Sequence, residues 1–344
     1  MKRKPLISIL LPARNAEKTL PLAIESCLAQ TLPDFELVLV DHRSTDKTFS
    51  LMKKYVKRDQ RVRVARAPAG STFVQALNFC TREAEGDLLV RMDADDFSYA
   101  DRLQRQARYM QDHPEVGVCG ALVRIRLRQA DMSVADPLPG YADYEKWLNA
   151  LVSPEQVAAE RYIDSPIANP TAMIRREVME KAGGYKEVEW AEDYDLWLRM
   201  LQSGVKIGKV ERVLLDWYDG DTRVTRTSQR YSQDNFLKAK AFYLSREPVV
   251  EENGVSVAGA GRIGKKLARW LKEFGVKVHC FFEVNERQVG NKIGGILVKG
   301  EASMDEAKGT VLIAAVGVDG ARGIIRDRAK AAGFVEGEDF FCVA

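Results

Sequence analysis

The chain has 344 residues, enough for two domains, and its 46% hydrophobic and 29% charged residues exclude an intrinsically disordered protein. Its formal net charge of +3 is too small to imply a nucleic-acid partner. It suits anionic small substrates or a peripheral contact with an anionic membrane face. The five cysteines (Cys27, Cys80, Cys119, Cys280 and Cys342) are scattered, which argues for reduced thiols in the cytoplasm and against a disulfide framework or a zinc site.

The opening "MKRKPLISILLP" places basic residues before apolar ones, as a secretion signal does. Pro12 stops the run early and no small-residue cleavage site follows, so "LISILLP" is expected to be a first strand. "EKTLPLAIESCLAQ" has helical periodicity, and "FELVLVD" reads as a second strand. The helix-like "DKTFSLMKKYVKR", the strand "VRVARA", the helix "STFVQALNFCTREA" and the strand "DLLVRMD" follow in turn. This alternation predicts an α/β fold with a mostly parallel sheet flanked by helices. Such sheets bind ligands outside the carboxyl ends of their strands. Pro12, Arg14 and Asn15, then Asp41 and His42, then Asp93 to Asp96 all fall at those ends. Residues 116–245 are less regular, with "VGVCGALVRIRL" alternating as a strand. Near Pro248 the chain turns charged, which places a boundary between domains 1–247 and 248–344. Strand and helix patterns then restart with "VSVAGAG", a helix over 262–274, "VKVHCFFE", "TVLIAAVG", a helix near 320–332 and a closing "FFCVA". No stretch approaches the ~20 apolar residues of a membrane span.

The segment "LLVRMDADDF" runs an apolar strand into Asp93, Asp95 and Asp96. Two such charges about 4 Å apart repel by roughly 4 kcal/mol at an effective dielectric of ~20, so something must offset them. One reading makes Asp96 or Ser98 the cap of the helix that starts near Asp101, with the other acids solvated. The other puts Asp93 and Asp95 on a divalent cation, because Mg²⁺ and Mn²⁺ prefer oxygen ligands and leave room for substrate phosphates. In "WAEDYDLWLRMLQSG" the positions Leu196, Trp197, Met200 and Leu201 form a helical stripe that Gly204 ends. Glu192 and Asp193 therefore fall in the first turn, where acids favour the helix dipole and where a carboxylate is also placed to accept a proton.

Three long segments in order carry a family likeness: "ISILLPARNAEKTLPLAIESCLAQTLPDFELVLVDHRSTDKT", "RMDADDFSYADRLQRQARYMQDHPEVGVCGA" and "NPTAMIRREVMEKAGGYKEVEWAEDYDLWLRML". Over roughly residues 5–245 they resemble the inverting family 2 glycosyltransferases of the GT-A fold. The resemblance implies a nucleotide-diphosphate sugar donor, a saccharide or glycolipid acceptor, and Mn²⁺ or Mg²⁺ held by Asp93 and Asp95. It implies Asp193, paired with Glu192, as the general base, and donor contacts from Pro12, Arg14, Asn15, Asp41, His42 and Asp93. Where the family usually carries two adjacent aspartates, this chain has Asp41 and His42; Asp46 or Thr45 is expected to cap the next helix. In "DWYDGDTRVTRTS" the family's metal-binding histidine is replaced by Gly220, so Asp219, Asp221 or water is left to complete the site. Arg223 and Arg226 are candidates for neutralising the diphosphate. The likeness points to surface polysaccharide or glycolipid assembly on the cytoplasmic side of the membrane.

"VAGAGRIGKKL" sets Gly259, Gly261 and Gly264 between a strand and a helix, and the next strand ends at Glu283. That is the order of a dinucleotide-binding loop with its ribose-binding acid, although close helix–strand packing alone would also call for glycines. The tail resembles small Rossmann-like domains appended to bacterial sugar-modifying enzymes, which makes a nucleotide or dinucleotide its expected ligand. A nucleotidyltransferase would more naturally follow its first strand with a Gly- and Lys/Arg-rich triphosphate loop than with "PARNAEKT". A nucleotide-sugar sensor or scaffold is favoured only by the missing histidine.

Overall fold

The computed structural model describes residues 4–220, 228–318 and 320–344. They group into two compact units that do not follow chain order. The first runs to Val157 and takes in Ile167–Val188 and the chain from Glu192. The second comprises Ala158–Pro166, Glu189–Ala191 and the chain from Ser228 to Ala344.

Nine strands of the described residues build the sheet of the first unit. They are β1 (Ile7–Ala13), β2 (Phe35–Asp41), β3 (Val62–Arg66), β4 (Leu88–Arg91), β5 (Phe97–Ser98), β6 (Val116–Arg128), β7 (Val134–Ala135), β8 (Met173–Arg175) and β9 (Lys206–Asp219). The order is β3-β2-β1-β4-β8-β6-β9-β5, with β7 hairpinned onto β6. The first four strands are parallel, as the sequence alternation predicts. Beyond them the sheet is mixed, because the three-residue β8 runs antiparallel to both β4 and β6.

β1, β2 and β4 are buried along their whole length, which is why they read as unbroken apolar runs. Alternate side chains feed two cores. Ile7, Ile9, Leu11, Leu37 and Leu39 pack with Leu20, Ala23, Ile24 and Cys27 of the helix Leu20–Leu28. Leu10, Val38, Val40 and Leu89 pack on the other face with Leu196, Trp197 and Met200 of the helix Glu192–Gln202. The stripe seen in the sequence is thus the face that docks this helix on the sheet, and Trp197 is wholly buried there.

The second unit carries β10 (Val255–Ala258), β11 (Val278–Glu283), β12 (Lys292–Ile293), β13 (Ile296–Gly300), β14 (Val311–Ala314) and β15 (Phe340–Cys342). Their order is β12-β13-β11-β10-β14-β15, parallel except for β12. Leaving β12 aside, the parallel strands run third, second, first, fourth, fifth, the arrangement of a doubly wound sheet. The unit is completed by residues from far upstream. Tyr162 is fully buried, sets its ring edge-on to Phe341 at 5.7 Å and donates its hydroxyl to Glu247. Lys240 donates to the carbonyls of Ile163 at 2.7 Å and Val343 at 3.0 Å. No helix of the described residues is long and apolar enough to cross a membrane.

Candidate active site

Register brings the polar clusters to one rim of the first sheet. β1 pairs with β2 through Ala13 and Asp41 and with β4 through Leu10 and Arg91. The amide of Met92 still bonds Leu10, and the chain then leaves the sheet at Asp93. Strands lie ~4.8 Å apart, so the Asp41 end sits about 10 Å across the sheet from β4.

Oxygen atoms of Asp93, Asp95 and Asp96 lie within 4.8 Å of one another. Three carboxylates at that spacing are a hard-oxygen donor set that fits Mg²⁺ or Mn²⁺ and suits neither a thiolate nor an imidazole metal. The sequence reading assigned Asp93 and Asp95; the third acid, Asp96, joins them. Neither Asp96 nor Ser98 caps the helix Arg102–Asp112, because both face inward. Asp96 accepts the Tyr218 amide at 2.9 Å, and Ser98 exchanges hydrogen bonds with Ser26 and Gln30.

Several supports of the cluster were invisible in sequence. Arg128 donates to the Asp95 carbonyl at 2.6 Å and lies over the Tyr218 ring at 3.7 Å. Arg91 forms an ion pair with Asp93 while 4% exposed. Beneath them Arg102, 1% exposed, donates to the Arg91 carbonyl at 3.0 Å and to Gln106 at 2.9 Å. Gln106 in turn holds the carbonyls of Cys119 and Thr171, both at 2.8 Å. Burial pulls the Arg102 guanidinium down to about 10, against the opposing pull of Asp96, so it stays charged at neutral pH.

Asp193 stands in the first turn of the helix Glu192–Gln202 with some solvent access, and its Oδ1 accepts the Tyr194 amide at 2.8 Å. Desolvation, followed by the neighbouring Glu192 charge and more weakly by Asp93, pushes its carboxyl up to about 7. A carboxylate at that level is poised to take a proton near neutral pH. Asp193 and Asp93 therefore feel one another, which links the two motifs.

At the Asp41 end, Pro12 is buried while Arg14 and Asn15 are exposed. Asn15 adopts φ +51 and accepts the Thr45 amide at 2.9 Å, which clips the loop after β2 to the end of β1. Asp41 is wholly buried; it accepts from Arg66 at 2.7 Å and from the Ser44 amide at 3.1 Å. His42 donates from Nε2 to the Ser71 carbonyl at 2.8 Å, because a carbonyl oxygen can only accept. Asp46 accepts the Thr48 amide at 2.9 Å, but it stands one residue before the N-cap of the helix Thr48–Arg58, which is Lys47, so neither Asp46 nor Thr45 occupies the capping position. Asp219 is buried at the end of β9. Among the described residues a Cβ at Gly220 would meet only the Arg128 carbonyl oxygen, at 3.4 Å. Asp221, Arg223 and Arg226 lie outside the described residues.

In the second unit Gly259 has φ +107, and a Cβ at Gly264 would sit 1.9 Å from the Gly259 carbonyl oxygen, so Gly264 is required for helix–strand packing. A Cβ at Gly261 would meet nothing within 4 Å. Glu283 accepts the Ala260 amide at 2.9 Å through Oε2 and the Val284 amide at 2.9 Å through Oε1. It thus shapes the loop as well as standing beside it.

Comparison with known proteins agrees with this geometry. Residues 8–183 match the family Glycosyl transferase family 2. The glycosyltransferase EpsE of Bacillus subtilis is 28% identical over 245 residues, covering 69% of this chain and 81% of EpsE. The O-antigen biosynthesis glycosyltransferase WbnJ of Escherichia coli is 27% identical over 197 residues, covering 57% of this chain and 72% of WbnJ. The structure of S. aureus TarS with UDP-GlcNAc superposes with a TM-score of 0.51 at 18% identity, covering 78% of this chain and 71% of that one. A Pyrobaculum calidifontis mannosyltransferase solved with GDP-Man and Mn²⁺ gives 0.50 at 19% identity, covering 71% and 63%. The chain spans 40% of a longer TarS structure. With an acidic cluster at the carboxyl rim of a GT-A sheet and a family match over half its length, this chain belongs to the family 2 glycosyltransferases.

Proposed function

We propose that the protein is a metal-dependent, inverting glycosyltransferase that moves a sugar from a nucleoside-diphosphate donor to the hydroxyl of a saccharide or glycolipid. The observation that carries the reading is the cluster of Asp93, Asp95 and Asp96 oxygens within 4.8 Å of one another at the carboxyl rim of the sheet, with Asp193 in the first turn of the helix Glu192–Gln202. Asp93, Asp95 and Asp96 would hold the cation, which supplies charge to stabilise the departing diphosphate. Asp193 takes the proton from the acceptor hydroxyl. The acceptor oxygen forms its bond to the anomeric carbon as the bond to the diphosphate oxygen breaks, and one displacement inverts the centre. Arg91 and Arg102 keep the three acids from repelling one another apart before donor arrives. Arg223 and Arg226 remain proposed diphosphate partners, and Asn15, Asp41 and His42 proposed nucleotide contacts, with Arg14 beside them.

The named roles of relatives, WbnJ in O-antigen biosynthesis and the Erwinia amylovora AmsE in amylovoran biosynthesis, support a place in polysaccharide assembly; the cytoplasmic face of the membrane is the place proposed for it. A panel of UDP- and GDP-sugars with Mn²⁺ or Mg²⁺ tests the reading. One nucleotide class should raise the unfolding midpoint in a metal-dependent way and turn over with inversion. No shift with any donor, or undiminished turnover in excess EDTA, refutes it.

For the second unit we propose nucleotide binding at the loop Gly259–Gly264, supported by the open side of Gly261 and the doubly wound strand order. Calorimetric titration of the full chain with NAD and AMP tests it, and no heat with either refutes it.

A further inference from the structure

The sequence of β6 alternates, with Arg124, Arg126 and Arg128 at every second position. Successive side chains of a strand point to opposite faces, so the three arginines share one face. Val123 and Ile125, with Leu215 and Trp217 opposite them on β9, take the other face and pack into the first core. The arginine face is open to solvent: Arg124 is exposed, and Arg126 and Arg128 are half-buried.

Register fixes what stands beside them. Arg124 pairs with Asp216 and Arg126 with Tyr218 on β9, and Phe97 of β5 pairs with Asp216 from the far side. Phe97 meets the ring of Tyr99 edge-on at 5.8 Å. Three half-buried rings, those of Phe97, Tyr99 and Tyr218, thus lie among the arginines. Two acids oppose the charge. Asp216 accepts the Tyr99 hydroxyl at 3.0 Å, and Asp136 pairs with Arg126 at 3.2 Å while 91% exposed. Arg124 has neither hydrogen bond nor ion pair among the described residues.

The row starts at the candidate metal site and leads away from it. Arg128 is bonded to the Asp95 carbonyl, and at ~3.3 Å per residue Arg124 lies about 13 Å along the strand from Arg128. In the sheet order β2, with the proposed nucleotide contacts, and β6 flank β4 on opposite sides. A diphosphate held at the cation does not extend over that length in that direction. Guanidinium groups bind carboxylate and phosphate oxygens bidentately, so three of them in file suit an anion that repeats. The rings between them add apolar surface on which a saccharide can lie.

We propose that Arg124 and Arg126, with Phe97, Tyr99 and Tyr218, form the acceptor-binding surface, and that the acceptor is an acidic oligosaccharide bearing more than one carboxylate or phosphate. The inference rests on the proposed glycosyl transfer and names the acceptor class for it.

The test is calorimetric titration of the full chain, with Mg²⁺ and UDP or GDP present, using tetragalacturonate, a heparin tetrasaccharide and neutral maltotetraose. An acidic probe should bind at least about tenfold more tightly than maltotetraose and lose affinity as NaCl rises. Arg124→Gln and Arg126→Gln should each weaken it about fivefold, and together about 25-fold, because sites ~7 Å apart act nearly independently. Affinity for UDP or GDP with Mg²⁺ should stay within twofold in all three variants. Failure of both acidic probes to bind, equal affinity for acidic and neutral probes, or an unchanged double variant overturns the inference. So does a double variant that keeps saccharide binding and loses binding to phosphatidylglycerol vesicles, which would make the row a membrane contact. Nucleotide binding separates the two levels. A wild type that takes up neither UDP nor GDP with metal removes the glycosyl-transfer reading itself, whereas nucleotide uptake without acidic-saccharide binding removes only the acceptor class.

Discussion

Asp193→Asn should make the metal-free protein more stable at pH 8 while abolishing transfer. Asp193 has a folded pKa of about 7, above the ordinary aspartate value of 3.8, because burial and the charges of Glu192 and Asp93 disfavour its ionised form. A raised carboxyl binds its proton more tightly folded than unfolded. Stability is therefore greatest below 3.8 and is lost as pH climbs through 7. At 1.36 kcal/mol per pKa unit the full loss is about 4 kcal/mol, and the residual solvent access of Asp193 reduces it to roughly 2–4. Asparagine mimics the neutral acid and still accepts the Tyr194 amide. In EDTA it should recover most of that energy at pH 8, several degrees in unfolding midpoint, and almost none at pH 4. Urea unfolding at the two pH values, with metal-free wild type alongside, measures it. A destabilised variant at pH 8, or an equal gain at both, would show that Asp193 is not held neutral by its surroundings.

Asp96→Asn keeps an acceptor for the Tyr218 amide but removes one charge from the cluster, so the Mn²⁺ concentration for half-maximal activity should rise about tenfold or more; an unchanged metal titration removes Asp96 from the site. Arg102→Met leaves the Arg91 carbonyl and Gln106 without their donor and should cost about 3 kcal/mol by denaturant midpoint, with refutation by a loss under 1. Gly264→Ala should lower the unfolding midpoint sharply because its Cβ would strike Gly259, whereas Gly261→Ala should leave it unchanged and weaken only nucleotide binding; equal effects on stability would overturn the distinction.

What the sequence could show follows from how far apart the interacting residues lie along the chain. β1, β2 and β4 were legible because a parallel strand covered on both faces is a continuous apolar run, and the Asp193 helix because its stripe has a 3.6-residue period. Asp93, Asp95 and Asp193 stood out through motif and local context. Asp96 looked like a cap, because its partner, the Tyr218 amide, lies 122 residues away and meets it only through β-sheet register. Arg102 and Arg128 were silent for the same reason: each gains its meaning from a backbone carbonyl supplied by a distant stretch of chain. The adjacent acid was the one signal for Asp96, since a third carboxylate beside two others needs compensation wherever it sits.

Tyr162 has a practical consequence for anyone who would treat the two units as interchangeable parts. The nine residues Ala158–Pro166 are spliced into the C-terminal body and carry Tyr162 into its interior. A graft taken from residue 248 onward would leave Phe341 without that tyrosine, and would also lack Glu247 and the lysine that bonds Val343. Exchange with a homologue, by recombination or by design, has to carry this inserted stretch along with the tail.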